Sequence, residues 1–585
     1  MDPQVSAGNA AEAHFNTFDG TSLFYRAWLP GGPISRAIVL IHRGHEHSGR
    51  FDRLAHALAQ PGTAVFAWDA RGHGKSPGER GYADSLGTVI RDLDCFVRFI
   101  CERHNLSARD LALIGHSVGA VIVAAWVHDY APPIRAMVLA TPALRVKLYV
   151  PFALPALRLR MKLPGRAFVK SYIRPAMLTA DATEQTAYAT DPLISRSIAV
   201  NILLDLHDRS TQLLADAAAI RTPTLVLTAG KDWVVRNDAT NEFFDRLGSK
   251  KKKLVHLDDA RHSIFHDISR DAAIGEVRTF LDHCFSAPLD FNDELLAAHQ
   301  SGHTKLEYDR LTRLLPIWCP RRWAFSLQRL MMKTIGRLSH GVRLGWQTGF
   351  DSGQTLDYVY DNTPRGLTPI GRAIDRAYLN AIGWRGIRIR KQNLQTLLRE
   401  SIDRVLARQG RAHVLDIAAG GGRYALEVLR EYRDKNVTAL LRDFSPTALA
   451  AARDNAARLG AARASFEQGD AFDRGSFASI NPQPDIAIVS GLYELFGDND
   501  RVVQSLGGVG DALPTGGLLI YTCQPWHPQI EMIARVLVNR DGKPWIMRRR
   551  TQLEMDRLVS AAGFEKSQTL VDQWGIFTVS VARKV

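Results

Sequence analysis

Short apolar runs recur through the first half of the chain, at residues 37–41, 64–69, 111–115, 136–140 and 224–228. Runs of this length without polar alternation suit strands buried on both faces. Helical segments separate them, so the pattern predicts a mostly parallel α/β sheet. Ahead of it, residues 15–29 predict a hairpin turning at Asp19-Gly20. A proline-rich basic stretch at about 143–205 interrupts the series and reads as an inserted cap. The pattern ends near residue 288. Residues 289–340 predict a helical connector, whose basic amphipathic run 321–333 reads as a helix packed between two domains, with a membrane-interfacial role as the alternative. Residues 341–410 predict a helical cover over a second site. A second α/β series fills 411–585, with strands at 413–417, 437–441, 464–467, 485–489 and 518–521 and a closing pair around Trp574-Gly575.

The chain has 585 residues, more than one hydrophobic core usually serves. Its 46% apolar and 23% charged composition is that of a folded protein and excludes wholesale disorder. Five scattered cysteines (95, 101, 284, 319 and 523) form no CxxC pair, which argues against a disulfide framework and a structural zinc site. The start shows no basic segment followed by an apolar one, so a cytoplasmic location is expected. The net charge is +14. Residues 131–180 contain no Asp or Glu but carry nine Arg and Lys among large apolar residues. That mixture suits an anionic membrane headgroup region, at the inner face of the cytoplasmic membrane, better than a DNA groove. A solvated cap surface is the plainer alternative. Nucleic acid is not expected as a partner.

Ser117 lies in Gly115-His116-Ser117-Val118-Gly119, directly after the predicted strand 111–115 and before a small-residue helix. Strand, GxSxG and helix together read as a nucleophile elbow. Serine is a weak nucleophile and needs a histidine base held by a carboxylate. Asp232 follows the strand 224–228, and His262 lies farther on, giving the order Ser, Asp, His.

The first 288 residues resemble the monoacylglycerol lipase and lysophospholipase-like branch of the α/β-hydrolases. The strings that carry this are the loop 42–51 (His-Arg-Gly-His-Glu-His-Ser-Gly-Arg-Phe), the segment 69–76 and the elbow. The resemblance implies an oxyanion hole from the N–H groups of Gly44 and Val118, and hydrolysis of an acyl glycerol or lysophospholipid under a cap. Arg43 and His45 stand where that family has glycine. His45 and His47 read as structural hydrogen-bonding residues, and no metal site is expected.

In the second half, Asp416-Ile-Ala-Ala-Gly420-Gly421-Gly422 opens a helix. Alone it is ambiguous, because Gly420-x-Gly422-x-x-Ala425 also fits a dinucleotide fingerprint, with Asp443 placed for ribose hydroxyls. Residues from about 365 onward resemble the class I methyltransferases, through Asp416 four residues before the first glycine, Gly469-Asp470-Ala471 after the third strand, and the closing strand pair. That resemblance implies S-adenosyl-L-methionine as cofactor, with Asp416 on its amino-acid end, Asp443 on the ribose and Asp470 on the adenine. Ala418 replaces a usual glycine. The acceptor is unidentified. Tyr493, Glu494 and His527 are candidates for its site, and Arg548 to Arg550 form either a phosphate-binding cluster or a solvated face. The segment after the fourth strand lacks Asn-Pro-Pro-Tyr, which disfavours an exocyclic base nitrogen.

The whole chain is similar to bacterial fusions of an α/β-hydrolase and a Rossmann-like methyltransferase. The expected function is a lipid-modifying enzyme with both activities acting on small-molecule or lipid substrates. The alternatives are an esterase regulated by a non-catalytic S-adenosylmethionine-binding module and, more weakly, a nucleic-acid methyltransferase.

Overall fold

A computed structural model describes residues 10–585. The chain forms two compact units, the first ending at Asp290 and the second running Phe291–Val585.

The first unit is built on an eight-stranded sheet. In spatial order its strands are Ala11–Asn16, Ser22–Trp28, Thr63–Trp68, Arg36–Ile41, Leu111–His116, Ala136–Ala140, Thr224–Ala229 and Lys252–Leu257. The first two pair antiparallel across the Asp19-Gly20 turn, and from Thr63–Trp68 onward all neighbours are parallel. This is the α/β-hydrolase fold. The central strands are buried on both faces, which explains their unbroken apolar runs. The edge strand Lys252–Leu257 was not expected. Its lysines mask the apolar signal, as is usual where an edge must stay soluble. Between Ala140 and Thr224 lies the cap, with the short helix Ala153–Arg160, a two-stranded sheet of Phe168–Lys170 and Ser197–Ala199, and the helix Val200–Asp216.

The second unit carries a seven-stranded sheet in the order Ala464–Gln468, Val437–Asp443, Ala412–Ile417, Ile486–Val489, Leu518–Cys523, Thr578–Lys584, Phe564–Val571. Five strands are parallel, and the closing pair is antiparallel. This is a methyltransferase-like α/β fold. Six helices precede it, ending in the 28-residue Ile382–Gln409, which buries Leu394, Leu397, Leu398 and Ile402 against the sheet. The helix Pro320–Lys333 buries none of its residues fully. Phe325 and Met332 pack within this unit, while Trp323, Leu327, Leu330 and Met331 remain exposed. Among the described residues, no helix is long and apolar enough to cross a membrane.

Candidate active sites

Ser117 caps the strand Leu111–His116 at φ 55° and ψ −111°, a strained conformation that lifts its hydroxyl out of the sheet. The flanking glycines are required sterically. A Cβ on Gly115 would come within 2.5 Å of the Gly119 carbonyl oxygen, and one on Gly119 within 2.3 Å of the Ile41 oxygen. Ser117 Oγ lies 2.9 Å from His262 Nε2, and His262 Nδ1 lies 2.8 Å from Asp232 Oδ2. The other Asp232 oxygen accepts the N–H groups of Val234 and Val235 at 2.7 and 2.9 Å. Burial alone would raise this carboxyl, but the His262 ring and those two N–H groups outweigh it and hold Asp232 below the ordinary carboxylate range. The His262 carbonyl is clamped by Thr141 Oγ1 at 2.9 Å and His116 Nε2 at 3.1 Å, which fixes the base from behind.

Gly44 and Val118 are neighbours, since a Cβ on Gly44 would stand 3.2 Å from Val118 Cγ2. Neither N–H is used within the described residues. The departures from glycine are accommodated individually. His45 takes φ 73° itself, the region that favours glycine, and its carbonyl accepts the Ser195 N–H of the cap at 2.9 Å. Burial drives its ring down to a pKa of about 4, so it stays neutral. Arg43 is buried against Glu46 at 2.7 Å, with its guanidinium 4.9 Å above the Tyr188 ring. His47 joins Asp191 at 2.8 Å. The cap is also tied to the acid loop. Lys147 Nζ donates to the Asp232 carbonyl at 2.6 Å and Tyr149 to that of Trp233 at 2.6 Å.

In the second unit, Asp416 is the penultimate residue of the strand Ala412–Ile417 and is fully buried. Its Oδ1 accepts the Tyr424 hydroxyl at 2.7 Å, while Oδ2 is buried without a partner. Burial, reinforced by nearby Asp443, pushes its pKa up to about 8 despite the Tyr424 bond. Gly420 and Gly422 adopt φ 58° and 60°, and Ala418, at φ 53°, takes the same region without being glycine. A Cβ on Gly420 meets nothing within 4 Å, so the backbone there faces open space. Asp443 receives the N–H groups of Gly420 and Ser445, each at 2.8 Å. Asp470 lies exposed after the neighbouring strand, and its Oδ1 accepts the Phe472 N–H. These residues fit the cofactor that the fold implies, because an orphaned buried carboxylate beside an open glycine turn calls for a cationic group.

A cavity of about 280 Å³ lies in the same unit. Its wall is mainly apolar and aromatic, with Tyr378, Trp384, Trp545 and Phe577, and its polar groups include Asp351, Arg390, Glu494, Gln524 and His527. Glu494 and His527 are thus brought together, and Glu494 pairs with Arg390 at 3.3 Å. The Gln529 N–H donates to His527 Nδ1 at 3.0 Å, so the neutral ring carries its hydrogen on Nε2. Burial lowers its pKa to about 4. Tyr493 is a correction. Its ring sits in the core with Val502 and Leu506, and its hydroxyl meets Ser505 at 3.0 Å, away from the cavity.

Arg548 to Arg550 are a second correction. All three are at most 3% exposed. Arg548 pairs with Glu554 at 2.7 Å, Arg549 reaches Glu307 and the Pro525 carbonyl, and Arg550 donates to the carbonyls of Tyr493 and Phe496. They satisfy an irregular buried segment rather than face phosphate or solvent. Asp351 and Trp384 come from the segment 345–390 that the sequence reads as a cover over this pocket, whereas Arg390, Gln524 and Trp545 were missed. No local signal marks Gln524 or Trp545, and Arg390 lies within the predicted helical cover.

The comparisons agree with this division. A family model described as "Putative methyltransferase" matches residues 277–584, and one described as "Serine aminopeptidase, S33" matches residues 32–269. The uncharacterized protein YnbC of Escherichia coli K12 is 46% identical over 98% of both chains. A monoacylglycerol lipase of Mycolicibacterium smegmatis is 27% identical over 46% of this chain and 96% of its own. A mouse monoglyceride lipase is 28% identical over 47% of this chain and 91% of its own. With its second unit matched almost end to end, the chain belongs to the family described as "Putative methyltransferase", and it carries a monoglyceride-lipase-like α/β-hydrolase domain ahead of that match.

Proposed function

We propose that the chain is a bifunctional enzyme, a serine ester hydrolase for acyl glycerol or lysophospholipid-like esters joined to an S-adenosylmethionine-dependent methyltransferase. The hydrolase reading is carried by the Asp232–His262–Ser117 relay beside two unused N–H groups. His262 Nε2 takes the Ser117 proton as Oγ attacks the ester carbonyl. The N–H groups of Gly44 and Val118 receive the charge that develops on the carbonyl oxygen. His262 returns the proton to the leaving alcohol, then activates water against the acyl-enzyme. Asp232 keeps the ring oriented and stabilises its charged form. The exposed Val150, Phe152, Leu159 and Leu163, in the part of the cap up to residue 180 that has no Asp or Glu, support a lipid substrate.

The methyltransferase reading is carried by the orphaned Asp416 oxygen. Asp416 would hold the cationic amino-acid end of the cofactor, Asp443 the ribose and Asp470 the adenine amine. The cofactor supplies an electrophilic methyl group when bound. The 280 Å³ cavity is the acceptor site in this reading. His527 donates through Nε2 to orient an acceptor oxygen, and Glu494, poised by Arg390, takes a proton where the acceptor must lose one.

Metabolite and lipid profiling of wild type, Ser117→Ala and Asp416→Ala, together with calorimetry of S-adenosylmethionine binding, tests both halves. Neutral and anionic monoacyl lipids should be hydrolysed faster than short water-soluble esters; the reverse order sinks the lipid assignment. Tight cofactor binding that alters hydrolysis, with no methylated product, would convert the second half into a regulatory module.

A further inference from the structure

The helix Pro320–Lys333 has two apolar faces. At 100° per residue, Phe325, Arg329 and Met332 share the half-buried side. Trp323, Leu327, Leu330 and Met331 fall on the opposite side, where they are 67%, 58%, 58% and 52% exposed. A helix that merely covers a domain needs only the first face. The exposed apolar surface continues through Ile317 and Trp318 before the helix and Ile335 after it. Large contiguous patches of this kind mark interaction sites.

The charge pattern identifies the partner. Residues 310–350 contain eight Arg and Lys and no Asp or Glu. Among the described residues Arg313, Arg329, Lys333 and Arg337 face no carboxylate, and Arg329 and Lys333 lie over the Trp346 ring. Exposed tryptophan and leucine, with Arg313 before the helix and Lys333 and Arg337 at and after its end, match an anionic lipid interface, where the apolar side enters the headgroup region and the cations stay at the phosphates. A second copy of this chain would bring like charges together, and RNA would leave the apolar face unused.

We propose that the helix Pro320–Lys333 docks the second unit on an anionic lipid surface. The same helix supplies Gln328 and Met332 to the wall of the 280 Å³ cavity, so docking holds that cavity at the lipid. Resting on the reading of the cavity as the acceptor site, this makes the acceptor an amphiphile taken from the bilayer.

The test uses the full chain and vesicles of phosphatidylcholine with or without phosphatidylglycerol. Wild type should co-sediment with the anionic vesicles far more than with neutral ones. The exposed-face variant Trp323→Glu/Leu327→Glu/Leu330→Glu should lose affinity at least about tenfold, whereas a cap variant, Phe152→Glu/Leu159→Glu/Leu163→Glu, should retain most of it. Equal binding of wild type and the helix variant overturns the proposal, as does equal binding to neutral and anionic vesicles. A milder pair, Trp318→Phe/Trp323→Phe, guards against misfolding. It should still bind but lose most of the fluorescence quenching by brominated phosphatidylglycerol; undiminished quenching overturns the proposal. Cofactor calorimetry on the same samples reports separately on the methyltransferase reading, because vesicle binding needs no cofactor.

Discussion

The two sites differ in what their buried polar groups lack. In the first unit every member of the relay has its partner within the protein: Asp232 has three, His262 uses both ring nitrogens, and Ser117 rests on the base. In the second, Asp416 holds a buried oxygen with no partner, and Asp351 Oδ1, Gln524 Nε2 and Trp545 Nε1 around the cavity are likewise unmatched. A relay that makes its own nucleophile must be preorganised before substrate arrives. A transfer site that supplies positioning rather than a reactive group keeps its unmatched polar atoms for ligands. The relay of the first site is complete as folded, whereas the second unit keeps buried polar atoms without partners around its glycine turn and cavity.

Breaking the complete site should have the largest effect. Ser117→Ala or His262→Ala should lower ester turnover by about 10⁴- to 10⁶-fold while cofactor affinity stays unchanged, as steady-state kinetics and calorimetry would show. A parallel loss of cofactor binding would mean the sites are not independent.

Next comes the internal frame of the second unit. Arg550→Met removes the guanidinium donors to the carbonyls of Phe496 and Asp498 and one of the two donors to that of Tyr493. It should destabilise the protein by roughly 3–5 kcal/mol, seen as a lower denaturant midpoint, with esterase kinetics intact. Retained stability with lost phosphate affinity would restore the ligand role excluded above.

Asp416→Asn sharpens the contrast itself. The folded pKa of Asp416 is raised from 3.8 to about 8, so its contribution is favourable below pH 4 and is lost as pH rises towards 8. The variant should therefore gain stability over wild type by on the order of a few kcal/mol at pH 8 and little at pH 4. A cationic ligand favours the ionised carboxylate, so wild-type affinity for S-adenosylmethionine should carry a proton-release component between about pH 6 and 8. Calorimetry in two buffers of different ionisation enthalpy should find that component absent in the variant. The smallest effect belongs to His45→Gly. It removes the strained φ of 73° and should shift stability by only about 1 kcal/mol, leaving ester turnover within a fewfold.

Much of this was legible in sequence because it is local. Residues 115–119 form a tight turn that only glycine-flanked serine can make, and the unbroken strands around it announce the sheet. Asp232 was found in the loop after a recognisable strand, and His262 by chain order, as a histidine near the end of the domain. Asp416, Gly420 and Gly422 share one turn. What failed to read correctly depended on distant partners. Tyr493 stands one residue from Glu494, yet one faces the core and the other the cavity. Three consecutive arginines looked like a surface and are interior struts, because an irregular segment carries no ladder bonds and its neighbours' carbonyls needed donors.

The sequence by itself determined the two sheets, the nucleophile and its partners, and the glycine turn of the second site, since each follows from periodicity or from the backbone demands of a few adjacent residues. Only the tertiary structure decided that Asp416 keeps an orphaned oxygen, that Trp384, Trp545, Glu494 and His527 line one cavity, and that the helix Pro320–Lys333 half-buries one face and presents an apolar face opposite it. Burial and the matching of polar groups are properties of neighbours far apart in the chain, and no local pattern encodes them.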